Sequence, residues 1–442
     1  MMPTTGTFFP TGVVTAPATD ASPSILTRKS LRRYIAGPWG LGGLFTGTAS
    51  NGTTLVQGAA LLVDQSADGI QDTSYDSDRF EHAWLYKLSE TSGGAYRTPE
   101  SHRVASYSPS DGSISIGRNF LTTPVTGTSQ YELHYHALAP ESIHEAISWA
   151  CQMSRQSQWI MLGGLVPDGD MQAYDTSAWG TVSGSGLAIS KVSPDGGRRI
   201  LRSSATSTTA YVPTVPIAVT ENRTCRIYAL VTATGTAASI VVRDLTHSAD
   251  ITPSWASGGT GTTTGLGETF LAGTFRVPVG CTSIEVRLRG GADWEAVAVH
   301  DSASKGIRLP DWLTPYEQTI IGISYLDGFG SGGTRQYYTV PALPEPRGTW
   351  LEAEPGDYAG PIVVQAALPY VTPEDDDDTL PMSARDYIAT GALRFIYTSL
   401  ARPKTIDTAR FEAQRIKVDR EWQAYQRSRN PLASKRNSWG RR

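Results

Sequence analysis

Cysteine is scarce in this 442-residue chain: Cys151, Cys225 and Cys281 are an odd number spread over 130 residues, with no CxxC spacing. That excludes a disulfide framework and a structural zinc site and leaves three buried thiols as the expectation. No run of eighteen apolar residues occurs, so no membrane-spanning helix is expected. The opening MMPTTGTFFPTGVV lacks the basic-then-apolar plan of a signal peptide, and the expectation is a soluble product made in a cytoplasm. Phosphate loop, nucleophile elbow, HExxH and dinucleotide fingerprint are absent, and with them the support for an enzyme. The SxxK match at Ser302 to Lys305 has no partner motifs and reads as chance. Asp293 and Glu295 are acids of the kind glycoside cleavage uses, but no spacing singles out a pair.

What the chain does contain is turn-rich β text. Gly 44 and Pro 27, with 39% hydrophobic and 18% charged residues, point to a mainly β fold with many turns and enough length for several cores. The centre of organisation is Tyr131 to Met153, where a strand runs into the clearest helix. Ile143, Ala146, Ile147, Ala150 and Cys151 share one face, and Pro140 stands at the first helical position.

Residues 1–30, rich in Thr, Pro, Gly and Ala, read as an extended arm. Residues 31–162 read as a small antiparallel β domain ending in that helix. Its strands include TTLVQGAALLVD (53–64), FEHAWLYKL (80–88) and SISIGRNF (113–120), with a hairpin signal at Asp111-Gly112. Residues 163–312 carry short alternating runs and predict a β-sandwich. Residues 313–380 resume strand-like text with a glycine-rich tip at Gly328, Gly330, Gly332 and Gly333. They are expected to return to the first domain, which makes the sandwich an insertion.

Helix returns over 381–428. Ser383 with Asp386 suggests a cap, Pro403 a stop, and Tyr387, Ile388, Ala392, Leu393, Phe395, Ile396, Tyr397 and Leu400 form an apolar surface wider than one buried face requires. A second helix over about 407–427 lines up Phe411, Val418, Trp422 and Tyr425. The tail 429–442 is basic with no acid. From Met382 onward there are fourteen Lys and Arg against five Asp and Glu, so the rest of the chain is strongly acidic. Glu374 to Asp378, EDDDD, reads as a solvated loop, with a cation site or a dock for a basic partner as alternatives. His134, His136 and His144 read as packed or surface imidazoles rather than metal ligands, and no cofactor is expected.

Two resemblances organise these readings. Asp168, Gly169, Asp170, Met171 and Trp179, with the strand CRIYALVTATG (225–235), resemble carbohydrate-binding modules of the jelly-roll, galactose-binding-like fold over about 165–310. That resemblance implies a structural or decorating sandwich, with glycan binding as the alternative. It also implies calcium near Asp168 and Asp170, which the local sequence does not favour. The aromatic candidates for stacking on sugar, Trp179, Trp255, Trp294 and Tyr211, are scattered, and Trp294 reads as core.

Tyr131 to Trp149 and Ser383 to Leu400 resemble neck or head-to-tail connector proteins of tailed bacteriophages. This implies a structural virion protein, a ring-forming subunit joining portal to tail, assembled in the host cytoplasm and not an enzyme. Its interfaces would use Tyr387, Ile388, Phe395, Ile396, Tyr397, Trp422, Arg436, Arg441 and Arg442, and its basic tail would meet an acidic portal surface or, without base readout, DNA phosphates. Two rivals stand beside it: a tail-fibre or host-adhesion protein binding cell-surface glycan through the sandwich, and a glycan-active enzyme.

Overall fold

The structure, a computed structural model, describes residues 25–37, 83–88, 95–108, 129–134, 138–173, 199–203, 210–213, 215–234, 237–256, 267–313, 320–329, 334–340, 358–400 and 408–431, with shorter stretches between. Asp111-Gly112, His136, Gly330, Gly332, Gly333, Pro403 and the tail arginines lie outside the described residues, as does most of the expected arm. The fold is mainly β with C-terminal helices, and it divides into two units: unit 1, residues 1–154 with 372–426, and unit 2, residues 155–371 with 427–442.

Unit 1 contains a six-stranded antiparallel sheet in the order Leu44–Thr48, Gln130–His134, Trp84–Lys87, Glu100–Ser108, Ser113–Ile116, Ala60–Leu62. Four helices accompany it. α1 (Arg28–Ala36) falls partly in the stretch expected as an arm; it begins at a capping box between Thr27 and Ser30 and follows a short strand, Ile25–Thr27, paired with Thr379–Pro381. α2 (Pro140–Met153) buries Ile143, Ala146, Ile147, Ala150 and Cys151, the face that the periodicity marks, and packs against α1 and α3. α3 (Arg385–Phe395) follows a 3-10 turn at Met382–Ala384 and widens into a π turn at Ile396–Leu400. Ser383 is not the cap of α3, because it lies within the 3-10 turn and Ala384 takes the N-cap position, with no side-chain hydrogen bond there; Asp386, in the first turn, accepts the Tyr34 hydroxyl at 3.1 Å. α4 (Thr408–Arg429) buries Phe411, Val418 and Trp422 along one narrow stripe.

In unit 2 a seven-stranded and a six-stranded antiparallel sheet enclose one core. It includes Trp179, Leu201, Ile227, Ala229, Val231, Ile240, Val242, Val286, Leu288 and Trp294. The alternation in Ala238–Asp244 and Ser283–Arg289 produces this directly, since every second residue is buried. Each fully buried side chain of this size contributes about 1.5–3 kcal/mol.

A third, four-stranded sheet was not foreseen. Its order is Arg155–Met161, Ile362–Pro369, Ile320–Phe329, Arg335–Thr339. Arg155–Met161 pairs along its whole length with Val363–Pro369, and Ile320–Tyr325 pairs with the other side of Ile362–Pro369. Residues 313–371, expected to return to the first domain, therefore belong with the sandwich, and the boundary at 163 moves back to 155. One face of this sheet joins a core of Ile160, Leu162, Leu309, Leu313, Val340, Leu351 and Val364. Its other face, through Met161, Leu326 and Val363, packs on Tyr228, Leu230, Ala296 and Ala298, on the face of the six-stranded sheet turned away from the sandwich core.

Candidate functional site

The DGDM segment is a latch. Asp168 and Met171 adopt left-handed backbone (φ 46° and 58°), and the amide of Val297 donates to Gly169 O at 2.6 Å. A Cβ on Gly169 would stand 2.3 Å from Val297 O, so only glycine permits the approach. The Asp168 carboxylate accepts the Ala173 amide at 2.8 Å and the Trp179 indole N–H at 3.2 Å; Asp170 accepts the Trp312 indole at 2.6 Å. Protein donors thus occupy the oxygens that the family resemblance offers to calcium. Among the described residues no group of three or more His, Cys, Asp and Glu is placed to hold a metal.

The scattered tryptophans do not form a platform. Trp179 and Trp294 are core residues, and the Trp294 indole donates to Ser203 Oγ at 3.2 Å. Trp255 lies half-buried against Gly261 and Gly273; the Tyr211 side chain lies outside the described residues. Asp293 is paired with Arg202 at 2.7 and 2.8 Å. Glu295 and Glu268 both accept from Arg335, which reaches across from the four-stranded sheet. Each of these acids therefore answers an arginine. Ser302 Oγ is buried without a hydrogen-bond partner, so it has no bond to Lys305.

The outer faces of the sandwich differ. That of the six-stranded sheet is covered by the four-stranded sheet, where Trp159 stacks on Tyr337 at 4.2 Å and 6° and Arg226 donates to Tyr358 O. That of the seven-stranded sheet alternates out Val241, Arg243, Glu285, Arg287 and Arg289, with no aromatic ring among them.

An aromatic surface forms instead on the four-stranded sheet. Tyr338 and Tyr325 are direct cross-strand partners whose rings stack at 5.4 Å and 21°. Tyr325 also stacks on Tyr358 at 5.5 Å and 29°. The three rings make a column with Tyr338, 46% exposed, at one end. Asp327 and Gln336 are exposed on the same hairpin and offer a carboxylate and an amide beside the rings. The sequence reading missed this site; the signal available was the paired tyrosines of TRQYYTV opposite the SYLDG strand.

In unit 1 the residues singled out for chemistry or assembly turn inward. Arg32, fully buried, donates to Glu132 at 2.8 and 2.9 Å and to Asp376 at 2.5 Å, and lies 4.5 Å from the Tyr86 ring centre. Arg33 also donates to Glu132, and Arg28 to Asp376. Burial alone would raise the Glu132 and Asp376 carboxyls, but the neighbouring guanidinium charges outweigh it and hold both below their ordinary values. Arg32 Nη1 lies 2.7 Å from His144 Nε2, which fixes that nitrogen as the acceptor; burial, then Arg32 and Arg28, push the imidazole down to about 3. His134 Nε2 is 2.9 Å from Glu132. EDDDD is therefore only partly the solvated loop expected, since Asp376 is an inward anchor.

The expected assembly surface of α3 is largely core of its own chain. Tyr387, Ile388 and Ile396 are fully buried and Trp422 is 6% exposed, so these four are covered within their own chain. Phe395 stacks on Trp149 at 5.3 Å, Tyr387 on Trp422 at 5.1 Å, and Tyr397 meets Phe411 edge-on. α3 is apolar on two sides because α2 and α4 cover both. Arg436, Arg441 and Arg442 lie outside the described residues. The three thiols are buried and unpaired in disulfides, with burial raising Cys225 to about 12 and Cys281 to about 11. No described helix is long and apolar enough to cross a membrane.

No protein-family model and no curated protein matches the chain. Solved structures with partial similarity include the enzymatically active domain of tailspike protein 4 of bacteriophage CBA120, 16% identical over 31% of this chain, with TM-score 0.25. The chain spans only 21% of that domain. The CBM22-1 xylan-binding domain of Paenibacillus barcinonensis Xyn10C is 11% identical, covering 34% of this chain and 97% of its own, with TM-score 0.22. A CBM4 module is 12% identical, covering 31% and 99%, with TM-score 0.24. None of the three is a neck, portal or adaptor protein, and at these scores the likeness carries no weight for what the chain binds.

Proposed function

We propose that residues 155–371 form a glycan-binding module that serves adhesion to a cell surface, with the sugar docking at the hairpin of Ile320–Phe329 and Arg335–Thr339. The observation that carries this is the tyrosine column ending in exposed Tyr338. A pyranose offers an apolar C–H face to an aromatic ring and hydroxyls to planar polar groups, and Tyr338 with Gln336 and Asp327 supplies both. Because Tyr325 and Tyr358 back the exposed ring, its orientation is set before a ligand arrives, which lowers the entropic cost of binding. Of the side chains that a connector role would use, Tyr387, Ile388, Ile396 and Trp422 are buried within their own chain.

The test is to screen the full chain against an array of bacterial cell-surface and plant oligosaccharides and to measure any hit by calorimetry. Tyr338→Ala is expected to weaken binding about fivefold, from loss of roughly 1 kcal/mol of ring stacking, while Tyr338→Phe retains most of it. Absence of any hit, or binding unchanged in Tyr338→Ala, removes the proposal.

A further inference from the structure

α4 presents a cationic stripe to solvent. Lys417, Arg420 and Arg427 recur at i, i+3 and i+10, within about 80° of one another around the helix, and all three are exposed. Ala424 lies on the stripe between Arg420 and Arg427, and Ala413 continues it one turn before Lys417. Two of the helix's acids are engaged elsewhere, Glu412 with Arg415 at 2.8 Å and Asp419 with Arg394 at 2.7 Å; Glu421, four residues from Lys417, flanks the stripe and leaves it net positive. Among the described residues, Lys417, Arg420 and Arg427 make no ion pair.

Unit 1 also carries the complement. Asp376 is drawn inward by Arg28 and Arg32, and the Asp378 carboxylate accepts the amides of Glu374 and Asp375 at 2.6 and 2.8 Å. These bonds fix the loop and present Asp375 and Asp377 outward, Asp377 with 84% of its side chain exposed and Lys29 only at 3.9 Å. Lys417 and Arg420 lie on the same unit as this loop; two surfaces of opposite sign, unpaired with each other, match when one copy meets the next.

We propose that the Lys417, Arg420 and Arg427 face of α4 docks on the Asp375 and Asp377 loop of a second copy of this chain. Such a contact is heterologous: each copy offers one donor face and one acceptor loop, so association propagates into a ring or filament rather than stopping at a symmetric pair. It is electrostatic and exposed, which makes it dependent on ionic strength, because the screening length falls from about 10 Å at 0.1 M salt to about 3 Å at 1 M.

Sedimentation velocity of the full chain tests this. Assembly larger than a dimer is expected at low salt and high protein concentration, and its loss near 1 M salt. Lys417→Glu with Arg420→Glu, or Asp375→Lys with Asp377→Lys, is expected to raise the dissociation constant at least about tenfold. Mixing the two reversed proteins restores complementary contacts on both the face and the loop of each copy, so alternating assembly is expected to return although neither variant assembles alone; that rescue also shows that both variants are folded. A wild-type chain that stays monomeric at low salt overturns the proposal, as does assembly that either reversal leaves unchanged. Binding of the stripe to duplex DNA with no self-assembly overturns it in favour of a phosphate surface.

Discussion

Replacing Arg32 by methionine tests the buried ionic cluster of unit 1. The substitution keeps an unbranched apolar stem and removes a fully buried guanidinium that bonds both Glu132 and Asp376. Those carboxylates are left with Arg33 and Arg28 alone. Removing one member of a buried pair costs about 3–5 kcal/mol. For a unit of this size the melting temperature falls by roughly 10 °C.

The pH dependence is the sharper test. In the wild type His144, with a folded value of about 3, stays neutral while the unfolded chain takes up a proton near 6.5. Its contribution is fully present above the unfolded value and is lost as pH falls toward the folded one, at up to about 1.4 kcal/mol per unit. Between pH 6.5 and 5 the loss reaches about 2 kcal/mol. Glu132 and Asp376, both depressed, add a second loss that begins below their unfolded values of 4.5 and 3.8 and grows as pH drops through the folded ones.

Arg32→Met removes the positive charge beside His144 and leaves the Asp376 carboxylate 3.9 Å away, so the imidazole recovers toward its ordinary value and the first loss shrinks. Because burial, the larger cause of the shift, remains, the stability gap between the two proteins narrows by up to about 1 kcal/mol from pH 7 to pH 5. Hydrogen exchange of peptides spanning α1, followed through a urea series at both pH values, reports on unit 1 alone. A gap below about 1 kcal/mol at pH 7, or one of equal size at both pH values, would refute the reasoning.

Three further outcomes follow from close contacts. Gly391→Ala puts a Cβ 2.5 Å from the Trp422 ring and 3.0 Å from the Ala150 Cβ, so a change that ordinarily favours a helix is expected to cost about 1–3 kcal/mol in denaturant unfolding. Adding millimolar calcium is expected to leave the thermal unfolding of unit 2 unmoved, because indole and amide donors already hold the Asp168 and Asp170 carboxylates; Asp170→Leu, which strands the Trp312 indole, is expected to cost about 1–3 kcal/mol.

Where the structure depends on local pattern, the sequence reveals it. The face of α2, the alternation of Ala238–Asp244 and Ser283–Arg289, and the stripe of α4 each follow from period and burial. α1 escapes the same reading because Arg28 and Arg32 stand at buried positions of its inner face, where pattern reading expects apolar residues. The acids that make Arg32 an inward residue lie 100 and 344 positions away. The width of the α3 apolar surface is legible, but whether neighbours come from the same chain or another is not a property of one helix; here α2 and α4 supply them. The four-stranded sheet is hidden for the same reason, since Gln365 and Ser157, bonded at 2.8 Å, are 208 residues apart. The tyrosine column depends on that pairing, so its rings could be named from sequence but not assembled.

The pairing of Arg155 with Pro369 has a genetic meaning. Opposed residues of antiparallel strands lie only about 5 Å apart, so the chain enters and leaves some two hundred residues of structure through one narrow gate. A coding segment bounded in this way is portable: it can be excised with a short splice between residues 154 and 372, or exchanged for another whose termini also meet. A lineage carrying such a gene could replace residues 155–371 by a single recombination event and keep every residue of the cluster around Arg32.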